Sequence, residues 1–235
     1  MSTPAVHIEN LSFAFDTATF HFGDAEVHPG EVVVLLGPSG AGKSTLMRLL
    51  RGELDPLEGA VHIVGEPVKT RKKILVLDET KAGWVPQLDD LQPMVSAREN
   101  IAHHLLRLEE EEREQRVDRL VRAMQLQGQD QLPVRSLSGG QRQRVSIAKA
   151  MANQPPVLLM DESLAQLDLR TKTSILIDVK QMVRDAQIAA ILVLHDPSDA
   201  LMIADQLWVI KDGALVQKGK PKDIVKAPES HAIAG

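Results

Sequence analysis

Large apolar residues alternate with small or polar ones near the start of the chain, in Leu11-Ser12-Phe13-Ala14-Phe15 and again in Phe20-His21-Phe22. A period of two is that of half-buried strands, so two such runs close together predict an antiparallel hairpin. The texture then changes. Residues 31–36 form a continuous apolar run, as in a strand buried on both faces, which enters a glycine-rich turn before helical spacing begins at 44–51. Further short strands are predicted at 60–65, 74–77 and 83–86. From Ser96 to Gln127 the pattern predicts a long, charged helical stretch with Leu105, Leu108, Val117, Leu120, Val121 and Met124 as buried positions. Beyond Pro155-Pro156 apolar strands return at 157–160 and 188–194, separated by a helix over about 170–185. This order predicts an α/β protein with a mostly parallel sheet, an antiparallel β part at its N-terminal end and an inserted helical part.

Composition narrows the function classes. The 235 residues, 43% hydrophobic, suffice for one large domain, divided by texture into 1–87, 88–153 and 154–235. A net charge of -5 argues against nucleic acid as the main partner, which needs a concentrated basic surface. Without cysteine there is no disulfide, thiolate zinc site or cysteine nucleophile. The start, Met1 to His7, lacks the basic and apolar segments of a secretion signal, so a cytoplasmic location is expected. The longest apolar stretches fall far below the ~20 residues of a membrane-spanning helix, so any membrane role must come through a partner. The run Glu109 to Glu112 reads as a solvated helix face.

The chemistry is concentrated in three segments. Gly37-Pro38-Ser39-Gly40-Ala41-Gly42-Lys43-Ser44 fits G-x-x-x-x-G-K-[ST] between a buried strand and a helix, the context a P-loop requires. Its glycines let backbone N–H groups turn toward phosphate, and the helix start adds partial positive charge. Lys43 reaches the β and γ phosphates and Ser44 can ligate Mg²⁺. Thr45 follows in the same binding segment. The strand ending at Met160 is followed by Asp161 and Glu162, at the sheet edge where nucleotides bind in such folds. Asp161 is the candidate Mg²⁺ ligand and Glu162 the candidate base for the attacking water. In Leu137-Ser138-Gly139-Gly140-Gln141, a serine and two glycines open a helix with Val145, Ala148, Met151 and Ala152 on its apolar stripe. That is a second phosphate-cradling helix start.

Leu137 to Gln141 resembles the signature sequence of ABC ATPases, and the flanking motifs stand in that family's order, so the resemblance covers essentially the whole chain. It implies a P-loop NTPase core that binds ATP and Mg²⁺. It also implies roles for residues that would otherwise carry none. Gln87 looks like the family's Q-loop glutamine, which touches Mg²⁺ and the attacking water and senses the membrane partner. His195, closing the strand 188–194, resembles the switch histidine that contacts the γ-phosphate. Asp168 matches the aspartate that crosses to a second subunit, although Ser163 and Gln166 depart from the family's usual residues nearby. The chain has no tyrosine, so adenine stacking falls to Phe15, with Phe13 as its rival.

The same resemblance implies a head-to-tail dimer of two copies, with the P-loop of one and the signature of the other closing on each ATP. It further implies integral membrane subunits, docked through a coupling helix against the helical part and the Gln87 loop. A substrate-binding protein is a further possible member of the complex, and the location would be peripheral on the inner membrane face. The segment from His195 to Leu201, followed by Ala204-Asp205, looks like importer subunits. Export or lipid handling is the main alternative, and an ATP sensor without hydrolysis is another.

Overall fold

The alternating residues near the start pair as an antiparallel hairpin in the computed structural model, which describes residues 3–15, 18–70, 78 and 80–226. β1 (Val6–Phe15) and β2 (Ala18–Val27) set Phe13 opposite Phe20. β4 (Glu58–Ile63) adds to the far edge of β1, and β5 (Glu66–Pro67) to that of β4, both antiparallel. The strand expected at 74–77 lies outside the described residues.

β3 (Val32–Leu36) shows why a continuous apolar run was needed. All five residues are buried, with Val32, Val34 and Leu36 in one hydrophobic cluster and Val33 and Leu35 in another. Successive side chains point to opposite faces, and neither face meets water. The first cluster is completed by α4 (Gly139–Ala150), α5 (Leu169–Ala186) and α6 (Pro197–Ile203). The second is completed by α1 (Lys43–Leu50) and the antiparallel strands. β3 lies between β8 (Ala189–Val193) and β9 (Gln206–Lys211), parallel to both, while β7 (Val157–Asp161) and β6 (Ala82–Val85) continue the parallel part beyond β8.

Two differences from the sequence pattern have physical causes. The stretch expected to be one long helical region contains α2 (Ala97–Ala102), a short 3₁₀ turn (His103–Leu105) and α3 (Glu110–Ala123). Three of the glutamates occupy the first turn of α3, where carboxylates favour the positive helix end, so the acidic run starts a new helix. The expected core positions hold, with Leu105, Val117, Val121 and Met124 buried and Leu108 and Leu120 packed against the same cluster. Arg98 joins α2 to α3 through Glu114 and Asp118, and reaches Asp130 as well.

The second difference is a hairpin the pattern did not predict, β9 with β10 (Ala214–Gly219). Its turn, Asp212-Gly213, has positive φ at both residues (49° and 80°), the geometry favoured between twisted strands. This hairpin matters for the site. β9 pairs with β3, and β10 meets β2 at Ala214 and His21, so it bridges the antiparallel and parallel parts of one sheet. α7 (Pro221–Lys226) follows it, with Ile224 returned to the core.

Candidate functional site

Four neighbouring parallel strands, β3, β8, β7 and β6, end along one edge of the sheet. β3 runs into the Gly37–Ser44 loop, β8 ends just before His195, β7 ends in Asp161 with Glu162 next, and β6 leads to Gln87. Strand order therefore gathers residues far apart in the chain, at the carboxyl ends where ligands bind in open α/β sheets.

The loop after β3 is shaped by neighbours on both sides. Gly37 has φ 150°, and an added Cβ would overlap the backbone carbonyl oxygen of Ile210 in β9. Gly42, the N-cap of α1, has φ 112°, and a Cβ there would lie 2.6 Å from the Phe20 ring of β2. A side chain at either position would meet both steric overlap and left-handed backbone strain. The cap carries no side-chain hydrogen bond, which leaves the start of α1 open to an anion. Lys43 is only 4% exposed, and its Nζ donates to the carbonyls of Gly37 (2.9 Å) and Pro38 (3.0 Å). Burial lowers its pKa, opposed by the carboxylates of Glu162 and Asp161.

Across the edge, Ser44 Oγ donates to Asp161 Oδ1 at 3.3 Å. Burial raises the Asp161 pKa, with the Ser44 hydrogen bond acting against it and the Glu162 charge reinforcing it. Glu162 stands in the left-handed region, φ 49°, an uncommon conformation for a side-chain-bearing residue. That turn aims its carboxylate at two partners, His195 Nε2 at 2.9 Å and Gln87 Nε2 at 3.4 Å. Beside it, Ser163 Oγ is buried and has no hydrogen-bond partner among the described residues.

Phe15 and Phe13 separate clearly. Phe13 is 9% exposed and belongs to the core, whereas Phe15 is 48% exposed at the end of β1. Phe15 packs edge-on against Phe13 and Phe20, and Phe20 is the ring that faces Gly42. The exposed ring is thus linked by one side chain to the loop.

The segment Ser138–Gln141 forms a different kind of helix start. Ser138 Oγ accepts from Gln141 N (3.3 Å), and Gln141 Oε1 accepts from Ser138 N (2.8 Å), a reciprocal capping box. Gly140 abuts Thr171 of α5, where an added Cβ would overlap the threonine methyl, and Gly139 faces Leu167. Asp168 caps α5 by accepting from Thr171 N (3.1 Å), and its hydrogen bonds to Thr171 lower its pKa. Two groups therefore emerge, one of Lys43, Ser44, Asp161, Glu162, His195 and Gln87, the other of Ser138–Gln141 and Asp168. Among the described residues, no hydrogen bond or ion pair joins the groups directly.

Residues that the sequence pattern did not single out tie these parts together. Arg142 pairs with Asp89 (3.7 Å) and Lys149 with Asp90 (3.1 Å), fastening the loop after Gln87 to the signature helix α4. Their only sequence trace is two basic residues seven apart, on one face of a helix.

Comparison with known proteins gives the family. The family model described as ABC transporter matches residues 23–165. Over 213 residues, 90% of this chain, the sequence is 37% identical to the Fe(3+) ions import ATP-binding protein FbpC of Vibrio cholerae serotype O1, spanning 60% of that protein's length. CbiO1 from Clostridium perfringens, part of the ABC transporter complex CbiONQ, superposes with a TM-score of 0.87 at 28% identity, covering 97% of this chain and 93% of that one. MJ1267, an ATP-binding cassette in its ADP conformation, shares the fold with a TM-score of 0.81 at 19% identity, with 99% of each chain covered. By sequence and by fold, this chain belongs to the ABC transporter family.

Proposed function

We propose that the chain is the ATP-binding and ATP-hydrolysing subunit of an ABC importer and works as a head-to-tail dimer around two ATP. The observation that carries the reading is the gathering of Lys43, Ser44, Asp161, Glu162, His195 and Gln87 at adjacent strand ends. The open start of α1 takes the phosphates, and Lys43 exchanges the Gly37 and Pro38 carbonyls for phosphate oxygens. Phe15 offers the adenine an exposed aromatic face.

Ser44 and Asp161 already place a hydroxyl and a carboxylate side by side, the hard oxygen donors that suit Mg²⁺. Among the described residues no cluster of three metal-ligating side chains exists, which fits an ion sharing phosphates and water rather than a closed protein cage. When bound, Mg²⁺ supplies charge neutralisation at the phosphates. Glu162 accepts the proton of the attacking water, Gln87 orients that water, and His195 holds the Glu162 carboxylate in place.

Among the described residues no hydrogen bond joins the signature cap to the P-loop of its own chain, which supports its use by a second copy. Similarity to an Fe(3+) ions import ATP-binding protein supports the direction of transport, with cargo chosen by separate membrane subunits. Among the described residues, no helix is long and apolar enough to cross a membrane. The loop after Gln87, where Leu88 is exposed, and the helical part it is fastened to by the Lys149–Asp90 pair would receive a coupling helix from such a subunit. A substrate-binding protein would complete an importer of this kind.

Complementation tests both halves of the reading. Lys43→Ala is placed in one tagged chain and Ser138→Arg in another, each also carrying Glu162→Gln to stop turnover. ATP retained only in mixed dimers, at about one per dimer, is the expected result. Tight retention within the Ser138→Arg homodimer would rule out a shared site.

A further inference from the structure

Lys172 on α5 and Asp199 in the first turn of α6 form an ion pair with side chains only 17% and 5% exposed. Neither belongs to the groups that would touch nucleotide. Pairing two charges away from water is a poor way to gain stability, because desolvation consumes most of the attraction, and a matched apolar pair often does as well. What the ion pair adds is a directed, short-range contact. Its place in the fold says what that contact holds.

α6 starts immediately after His195. Asp196 caps it by accepting from Ser198 N at 2.9 Å, and the Lys172 charge helps lower the Asp196 pKa after the larger effect of the Ser198 hydrogen bonds. Lys172 thus pairs with Asp199 and its charge acts on Asp196, the two acids of the segment that follows the histidine. His195 itself is half-exposed, with a side chain 45% accessible, so little packing fixes its ring on Glu162. At its other end Lys172 sits one residue beyond Thr171, the residue that packs on Gly140 of the signature helix and donates to Asp168. Further along α5, Arg144 of α4 donates to Ser174 (2.9 Å) and forms an ion pair with Asp178 (2.7 Å), so α5 is clamped to the signature helix at two levels.

We propose that Lys172 and Asp199 are positioning residues for ATP hydrolysis: their ion pair holds the start of α6, and so His195 on Glu162, in register with the α5 turn that meets the signature helix. The inference rests on the ATPase reading above. Its consequence is that the pair acts on turnover and leaves nucleotide binding alone, since Lys43 and Phe15 lie elsewhere.

The test compares the purified chain with Lys172→Gln, Asp199→Asn, the apolar double Lys172→Met/Asp199→Leu, and the conservative double Lys172→Arg/Asp199→Glu. ATP affinity, KM, kcat and thermal midpoint are measured for each. Both single variants should lower kcat by roughly 5- to 30-fold with KM and ATP affinity near wild type, and the Arg–Glu pair should restore most of the rate. The apolar double separates positioning from stability. It removes the buried charges together, so it should remain folded, yet it should turn over as slowly as the singles. A wild-type kcat in the folded apolar double, or single variants in which rate and ATP-binding fraction fall together, would overturn the proposal. Absence of hydrolysis by the wild-type chain would instead overturn the ATPase reading on which it rests.

Discussion

The two helix starts that flank the chemistry are built on opposite plans. α1 begins at a glycine with no side-chain cap, in a loop pressed between Ile210 and Phe20 and held in left-handed backbone. α4 begins at Ser138, whose reciprocal bonds with Gln141 already occupy two groups of the helix end. An open start leaves its N–H groups for an anion, whereas a capped one must exchange bonds before it can bind. The contrast suits a division in which the first start holds nucleotide within one chain and the second engages it only when another chain arrives.

Substitution of the glycines gives the sharpest break. Gly37→Ala should destabilise the chain by about 3 kcal/mol or more, because its Cβ meets the Ile210 carbonyl in a backbone region strained for alanine. Gly139→Ala meets only ordinary contacts, Leu167 Cδ2 at 3.5 Å and Arg142 Nη2 at 3.9 Å, and should change stability by less than about 0.5 kcal/mol. Chemical denaturation of the two variants measures the difference, and equal losses would remove the claim that Gly37 is sterically constrained where Gly139 is not.

The next effect concerns what lies beside the open start. Phe15→Ala should weaken ATP binding by about 1–3 kcal/mol with little change in denaturation midpoint, since the ring is half-exposed. Phe13→Ala should do the reverse, destabilising the chain by about 3 kcal/mol through a core cavity. Nucleotide titration alongside thermal melts separates the two.

Removing the closed cap is expected to be milder. Ser138→Ala should cost about 1 kcal/mol of stability in the nucleotide-free chain, the usual value of a lost N-cap, and leave ATP affinity of the single chain unchanged. An affinity loss in the monomer would place the second start in the same chain's site and end the division.

The smallest effect is electrostatic and belongs to the open side. The folded-state pKa of Asp161 is raised above its unfolded value, so the proton is held more tightly in the folded chain. The contribution of this residue is therefore most favourable below the unfolded pKa and is lost as pH rises through the raised value. Asp161→Asn should raise the thermal midpoint of the nucleotide-free chain at pH 7, and the gain should shrink toward pH 4. A midpoint lowered at pH 7 would show that the Ser44 bond outweighs burial.

Chain order alone determined the local chemistry of this protein: the strand, turn and helix around Gly37 to Ser44, the acids after β7, and the Ser-Gly-Gly helix start. These depend on spacing between near neighbours, where backbone geometry and residue type act together over a few positions. The helical stretch was legible as helix and as core, while its division before α3 turned on where the acidic run met a helix end.

Other features were decided only when distant segments met. Gln87 reaches Glu162 from 75 residues away because β6 and β7 are adjacent in the sheet. Phe13 and Phe15 share one strand and a period of two, and only the end of the β1–β2 ladder makes one of them core and the other exposed. The β9–β10 hairpin supplies the carbonyl that makes Gly37 obligatory, and Lys172 finds Asp199 across two helices. Burial and close approach are properties of what packs against a residue, and for most of these positions the packing partner lies dozens of residues away or in a strand whose place in the sheet its own pattern does not specify.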